Sequence, residues 1–447
     1  MDAIIIDLRD RLAQSLPAPQ PQDRGALVRA TRNALGLTTE EFAVVLGEQI
    51  GWEVWPGHIK AWESGSARVI KEVAEACHRL AVNIKPTAAS PGSDLGGSLV
   101  VPCWTDGRIT WVTINRRTFL FRGGTAALAA IAAAALPPAP GGASVNLLSS
   151  APPADGRTPV EHLAALRRVL IDADNQLGSA AVVPVAESQV AVIGHLLDGQ
   201  DGGDRRALLT LQAQFAEFAG WLRQDGCDFE QAQYWLDRSL EWAHMAGEQD
   251  LATYILLRKS QLAGDMGQAA DAADLAEAAA RMAVPRSRIG ATAPCFGAHG
   301  YALAGQHSAA ERAIDRALNL EADADDGSSW AIWLDPSYIK MQHARCLSAL
   351  GQHSRAAAVF GDAIGDIGGS YRRDCGVYLA RQALAYARAC EPEQAVAAGM
   401  RTLDVAGNAQ SGRVTAELGN VRIALARWQR LPDVARFHEA LTDVIPA

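Results

Sequence analysis

Hydrophobic positions recur every three to four residues along most of the chain, which predicts amphipathic helices. Ile4, Ile5, Leu8 and Leu12 share one helical face, and "PAPQPQ" then breaks the pattern. From Arg24 four short helices follow. Leu27, Val28, Thr31 and Leu35 mark the first, which stops at Gly36. The second lies in "LTTEEFAVVLG", with Thr38 or Thr39 as N-cap and acids just inside, where the helix dipole favours them. "GHIKAWESG" is a third helix ending at Gly65, and Val69, Val73, Ala76 and Leu80 face inward on the fourth. A Pro/Gly/Ser linker covers 86–98. Two β-rich runs then flank "TDGR", and Asp-Gly predicts a two-residue hairpin turn. An Ala-rich helix over about 116–136 and a second loose linker complete the connection.

From Thr158 onward everything reads as helix, and it repeats. Ala232, Ala272, Ala310, Ala356, Ala395 and Ala435 stand near the starts of helices, at intervals of 40, 38, 46, 39 and 40 residues. The turns "AGQHS" and "LGQHS" recur with them. A small residue at a fixed place lets paired helices approach closely, and this period is that of a helix-hairpin solenoid. The expected fold is all-α: an N-terminal helix-turn-helix domain and a C-terminal TPR-like α-solenoid, with a small β-hairpin in the connection. The expected boundaries are 1–23 for the leading helix and linker and 24–85 for the helix-turn-helix domain. A linker spans 86–157, with its hairpin at about 99–114, and the repeats fill 158–447.

Composition narrows the function. The 447 residues carry a net charge of −9, so any nucleic-acid binding is local to one part of the chain. The seven cysteines form no CxxC pair and give no disulfide framework or zinc ribbon. The longest apolar run, Thr125–Leu136, falls short of the ~20 residues a membrane helix needs. HExxH, P-loop, GxGxxG and GxSxG motifs are absent. His307 and His353 sit in repeated turns where helix capping accounts for them, and Asp325–Asp326 read as a solvated pair. The expectation is therefore no enzyme, no cofactor, no metal and no membrane contact. Trp330, Trp333 and Tyr338 cluster at one repeat junction, as core or as the lining of a ligand pocket.

The segment "NRRTFLFRGG" has the layout of a twin-arginine export signal, with Arg116, Arg117, Phe119 and Leu120 in place. A folded domain lies upstream of it, which favours an internal clip and a cytoplasmic protein. The competing reading is export of a shorter form started at Val112.

The residues "LTTEEFAVVLG" and "HIKAWESG" resemble the helix-turn-helix domain of Xre-type, phage-repressor-like regulators. Leu37, Thr38, Glu40, Glu41, Phe42, Ala43, Leu46 and Gly47 match the first half of that pattern. Ile59, Trp62, Glu63 and Gly65 match the second. Domain order, the internal Arg-Arg-x-Phe-Leu segment and the repeats from "FAGWLRQDGCDFEQAQYWL" onward resemble regulators common in GC-rich, antibiotic-producing bacteria. The resemblance implies a DNA-binding regulator whose TPR-like domain senses a ligand or partner, controlling secondary metabolism or development. It implies that Trp62 packs in the core and that Glu63 caps or pairs nearby. Thr38, Thr39, Gly57, His58, Lys60 and Ala61 would then face the major groove. Arg29, Arg32, Arg68 and Lys71 would reach phosphates. The implied partners are double-stranded DNA, bound as a homodimer, and a peptide, protein or small molecule on the solenoid. From Arg24 to Lys85 eight Arg/Lys stand against seven Asp/Glu, a slender basic excess. The alternative is an interaction scaffold whose Xre-like domain does not read DNA.

Overall fold

The computed structural model describes residues 24–34, 37–50, 54–82, 98–105, 108–115, 145–149, 156–324, 330–331, 333–364, 372–406 and 411–442. The leading helix of residues 1–23, the Ala-rich segment and Arg116–Arg117 lie outside these residues.

Four helices form the N-terminal unit: α1 (Arg24–Ala34), α2 (Thr39–Ile50), α3 (Pro56–Ser64) and α4 (Lys71–Val82). Val28, Phe42, Leu46, Ile59, Trp62, Val69, Val73 and Cys77 make one buried cluster drawn from all four. Pro56 suits the first turn of α3, where its missing N–H costs nothing. Gly65 ends α3 with φ 75°, a left-handed position that glycine fills without strain.

A three-stranded antiparallel sheet follows, in the order β1 (Ser98–Thr105), β2 (Arg108–Asn115) and β3 (Val145–Ser149). Thr105 pairs with Arg108, so Asp106 and Gly107 separate the first two strands. The sequence reading took β3 as part of a loose linker. It pairs with β2 through a register shift at Val112/Thr113. Leu99, Val101, Cys103 and Val112 share one core with Leu163, Leu166 and Leu170 of α5 (Pro159–Leu177) and Ile193 of α6 (Ser179–Leu196). Trp104 stacks on His195 at 3.6 Å between ring centroids. The sheet thereby covers apolar surface that the first solenoid helices would otherwise expose. Among the described residues α6 alone has the length and apolar composition to cross a membrane, and 50% of that window is buried inside the fold.

The remaining helices alternate as hairpin pairs: α7 (Gly202–Asp225) with α8 (Phe229–Ala246), α9 (Gln249–Asp265) with α10 (Ala269–Met282), and α11 (Arg288–Leu303) with α12 (His307–Asp323). Then come α13 (Pro336–Ala349) with α14 (His353–Ile364), α15 (Arg372–Arg388) with α16 (Pro392–Ala406), and α17 (Gly412–Leu425) with α18 (Pro432–Thr442). Ala232, Ala272, Ala310, Ala356 and Ala395 are each almost fully buried near the start of the second helix of a pair. Ala435 departs from the expected register: it is half-buried, and Val434 and Phe437 fill the inward positions of α18. The turns repeat as well. Cys227, Gly267, Gly305, Gly351 and Cys390 all have positive φ, each five residues before its repeat alanine. Buried side chains bridge the pairs: Ser239 Oγ donates to the Ala213 carbonyl at 2.7 Å, and Ser260 Oγ to that of Ala272 at 2.7 Å.

Candidate functional sites

In the N-terminal unit the motif residues lock α3 onto α1. Arg32 forks onto Glu63, Nε to Oε1 at 2.6 Å and Nη2 to Oε2 at 3.1 Å, and its third bond reaches the Leu37 carbonyl at 3.2 Å. Arg29 donates to the Glu63 carbonyl. The sequence reading gave these two arginines to phosphates; both also bond within the fold, and Arg29 stays exposed. A bidentate arginine fixes orientation as well as energy, so α3 is held firmly relative to α1. Thr38 and Glu41 form a reciprocal capping box on α2: Thr38 N–H donates to Glu41 at 2.8 Å, and Glu41 N–H to Thr38 Oγ1 at 3.2 Å. The Thr38 N–H and hydroxyl hold the Glu41 carboxyl below its usual range.

Two expected groove readers are turned away. His58 is 7% exposed, and Gly57 is buried. The Trp55 N–H donates to His58 Nδ1 at 3.0 Å, so the imidazole caps the start of its own helix. Burial, then the Arg288 charge, push the His58 imidazole down to about 3. It is a neutral helix cap. Arg68 donates to the Ala322 carbonyl of α12 at 2.9 Å. Thr38 and Lys60 remain exposed, with Thr39 and Ala61 half-exposed beside them. Lys60 Nζ is 4.0 Å from Glu40, and Lys71 is 3.7 Å from Glu75; both pairs are solvent-exposed and weak. Lys60 is the one long, charged hydrogen-bond donor that the described part of α3 exposes.

The solenoid interior holds a second constellation, which the sequence reading missed. The first helix of each pair sends polar side chains to a shared buried face. Glu217 on α7 accepts from Arg258 Nε at 3.1 Å and lies 3.7 Å from Arg167. Gln224 accepts from Arg258 at 3.3 Å and donates to Asp265 at 2.6 Å. Asp265 also accepts from Arg345 at 2.6 Å and faces Arg381 at 4.0 Å. Arg381 continues to Glu417 at 2.7 Å. Arg413 joins Asp225 at 2.9 Å and Asp374 at 3.2 Å. The guanidinium carbons of Arg258 and Arg413 lie 4.7 and 4.4 Å from the centroid of the same Trp221 ring. Burial raises the Asp265 carboxyl, but Arg345, Arg381, Gln224 and Arg413 outweigh it and hold the group at about 2. Arg167, Arg258, Arg345, Arg381 and Arg413 balance Glu217, Asp225, Asp265, Asp374 and Glu417. A charged ligand would have to enter this face by exchanging ion pairs.

The aromatic candidates border the same interior. Trp330 stacks on Tyr254 at 5.0 Å. Trp333 stacks on Phe296 at 5.9 Å and meets Tyr338 at 4.5 Å. The Tyr338 hydroxyl lies 3.4 Å from Gln261 Nε2, and Asp335 caps α13 at the Tyr338 N–H. All three aromatics are part of apolar clusters yet remain partly accessible. A separate half-open cleft of about 280 Å³ lies among α10, α11 and α12, lined by Glu277, Arg286, Pro294, Gly297, Tyr301 and Arg316 among others. Among the described residues no group of three or more His, Cys, Asp or Glu is placed to hold a metal.

No family model matches the chain, and no curated protein matches it. Among solved structures, a Rap protein complexed with Competence and Sporulation Factor aligns with a TM-score of 0.40 and 11% identity. The alignment covers 64% of this chain and 94% of the other.

Proposed function

We propose that the protein is a one-component transcription regulator. The N-terminal unit binds double-stranded DNA, and the solenoid senses a peptide, protein or small molecule. The observation that carries this reading is the Arg32–Glu63 fork beneath a buried Trp62. It fixes α3 across α1 and leaves Thr38, Thr39, Lys60 and Ala61 on one face with the capped start of α2. In such motifs the second helix lies in the major groove while the first crosses the backbone. With Gly57 buried and His58 capping, little base-reading chemistry remains in the N-terminal turn of α3. Much of the affinity then comes from phosphates and is strongly salt-dependent. A homodimer on two half-sites would multiply this modest affinity. The protein works without enzymatic chemistry or a cofactor, in the cytoplasm.

The buried Gly57 and His58 also favour a second reading, in which the solenoid and the Xre-like unit form an interaction scaffold. Genome-wide footprinting of the tagged protein separates the two. Discrete enriched sites are expected, and their complete absence would leave the scaffold.

A further inference from the structure

A hydrogen bond joins the N-terminal unit to the solenoid. Arg68 sits between α3 and α4, yet its Nη1 donates to the Ala322 carbonyl at 2.9 Å, across 254 residues of chain. Ala322 lies in the last turn of α12, where unsatisfied carbonyls form the negative end of the helix dipole. Glu321 beside it is half-buried. Burial, with Asp335, pushes its carboxyl upward against the opposing pull of Arg288 and Arg68. Arg288 opens α11 and is only 7% exposed, and its charge also acts on His58 in the N-terminal turn of α3. The contact therefore joins the turn after α3 to the α11–α12 pair, and the Arg288 charge is felt at the start of α3.

The same pair leads into the solenoid interior. Ala324, just beyond α12, is buried, and Trp330 stacks on Tyr254. Trp333 then packs between Phe296 and Tyr338. The interval Ala310–Ala356, 46 residues where the others are 38 to 40, contains this connection. The extra length brings aromatic side chains onto the face where a ligand would sit.

We propose that this contact is an autoinhibitory latch. The surface of Arg288, Glu321 and the Ala322 carbonyl holds the start of α3, and a ligand that displaces Trp330 and Trp333 from the interior releases it. The proposal rests on the regulator reading above. A duplex needs the N-terminal turn of α3 and cannot share it with the solenoid. A phosphate at the α3–α4 turn would compete with the Ala322 carbonyl for Arg68. A ligand shifts this contact only as far as it prefers the open state over the docked one.

The test uses the full chain with Glu321→Lys, which leaves every residue of the N-terminal unit intact. Amide hydrogen exchange over Pro56–Trp62 reports docking, and a fluorescent duplex of random sequence reports DNA access. Exchange there should rise about tenfold, and duplex affinity about fivefold, as the competent fraction grows. Arg68→Glu combined with Glu321→Lys should move protection back toward that of the parent. Unchanged exchange in Glu321→Lys, or no recovery in the pair, overturns the latch. Faster exchange without duplex binding by either protein keeps the latch and removes the regulator reading. Trp330→Ala should also loosen α3. If it loosens the interior alone, with the solenoid still folded by thermal melt, the link from ligand to latch is overturned.

Discussion

Arg413 and Asp225, 188 residues apart, meet Nε to Oδ1 at 2.9 Å on fully buried Asp225. Ser411 Oγ donates to the same oxygen at 3.1 Å. A linear solenoid would keep α7 and α17 apart, since each repeat contacts only its neighbours. Here the start of the last pair folds back onto the end of an early helix. Removing one partner strands a buried charge, so Arg413→Ala should destabilise the solenoid by about 3–5 kcal/mol. Asp225→Asn combined with Arg413→Ala should recover part of that loss, with Asp225→Asn alone as the second single variant. Denaturant melts of the four proteins close the cycle, and simple additivity would show that the pair is not coupled.

Asp265 gives the network a pH signature. Its carboxyl is held at about 2 in the folded chain, against roughly 3.9 when unfolded. The folded state thus favours the ionised form. Its stabilisation is complete above the unfolded value and is lost as pH falls from about 4 toward about 2. Asp265→Asn should be less stable than the parent at pH 7, with the gap narrowing below about pH 4. A gap independent of pH would mean that Arg345 and Arg381 do not hold this carboxyl.

The repeat turns offer two substitutions of opposite sign at one structural position. Cys390 has φ 65° and Gly351 φ 76°, and nothing lies within 4 Å of a Cβ placed on Gly351. Backbone conformation alone therefore sets the outcome there. Cys390→Gly should stabilise the solenoid by about 0.5–1 kcal/mol, and Gly351→Ala should cost about 1 kcal/mol. Thermal melts that move in the same direction would contradict the shared left-handed turn.

The repeat alanines test the helix-pair register. Ala310 and Ala356 are almost fully buried near the starts of α12 and α14. Leucine at either position should destabilise the solenoid by about 1–3 kcal/mol through overpacking. Melts like those of the parent would mean that the close approach lies elsewhere.

What the sequence disclosed follows from periodicity. The alanine spacing located the hairpin pairs because a buried small residue at a fixed place is both a packing constraint and a readable letter. Asp106-Gly107 located β1 and β2 because a tight hairpin restricts residue choice. Val145–Ser149 escaped because β3 is five residues long, flanked by Gly and Pro, and paired only through a register shift. The interior network escaped because a charge on an amphipathic helix normally reads as solvated. Its trace was there: Arg258 and Arg381 each stand fourteen residues before a repeat alanine, Ala272 and Ala395. Long-range closure by Arg413 leaves no local mark at all. In the N-terminal unit the motif located Trp62 and Glu63, but it could not tell a groove-facing His58 from a capping one. That depends on the Trp55 N–H, which only the backbone path brings within reach.

That distinction makes the residues proposed to face DNA separable by experiment. Lys60 is exposed, and among the described residues it pairs with Glu40 only weakly, at 4.0 Å. If footprinting yields a site, Lys60→Ala should weaken binding to it by about 1–3 kcal/mol at fixed salt, with thermal stability unchanged. His58→Ala should behave differently. It removes the acceptor for the Trp55 N–H, so the N-terminal unit should lose about 0.5–2 kcal/mol of stability, the scale of a lost helix cap. The base preference of the protein that remains folded should stay the same. Fluorescence anisotropy across a salt series, paired with thermal melts, reads both effects. A His58→Ala protein that melts like the parent but changes its base preference would return His58 to the groove and remove its role as a cap.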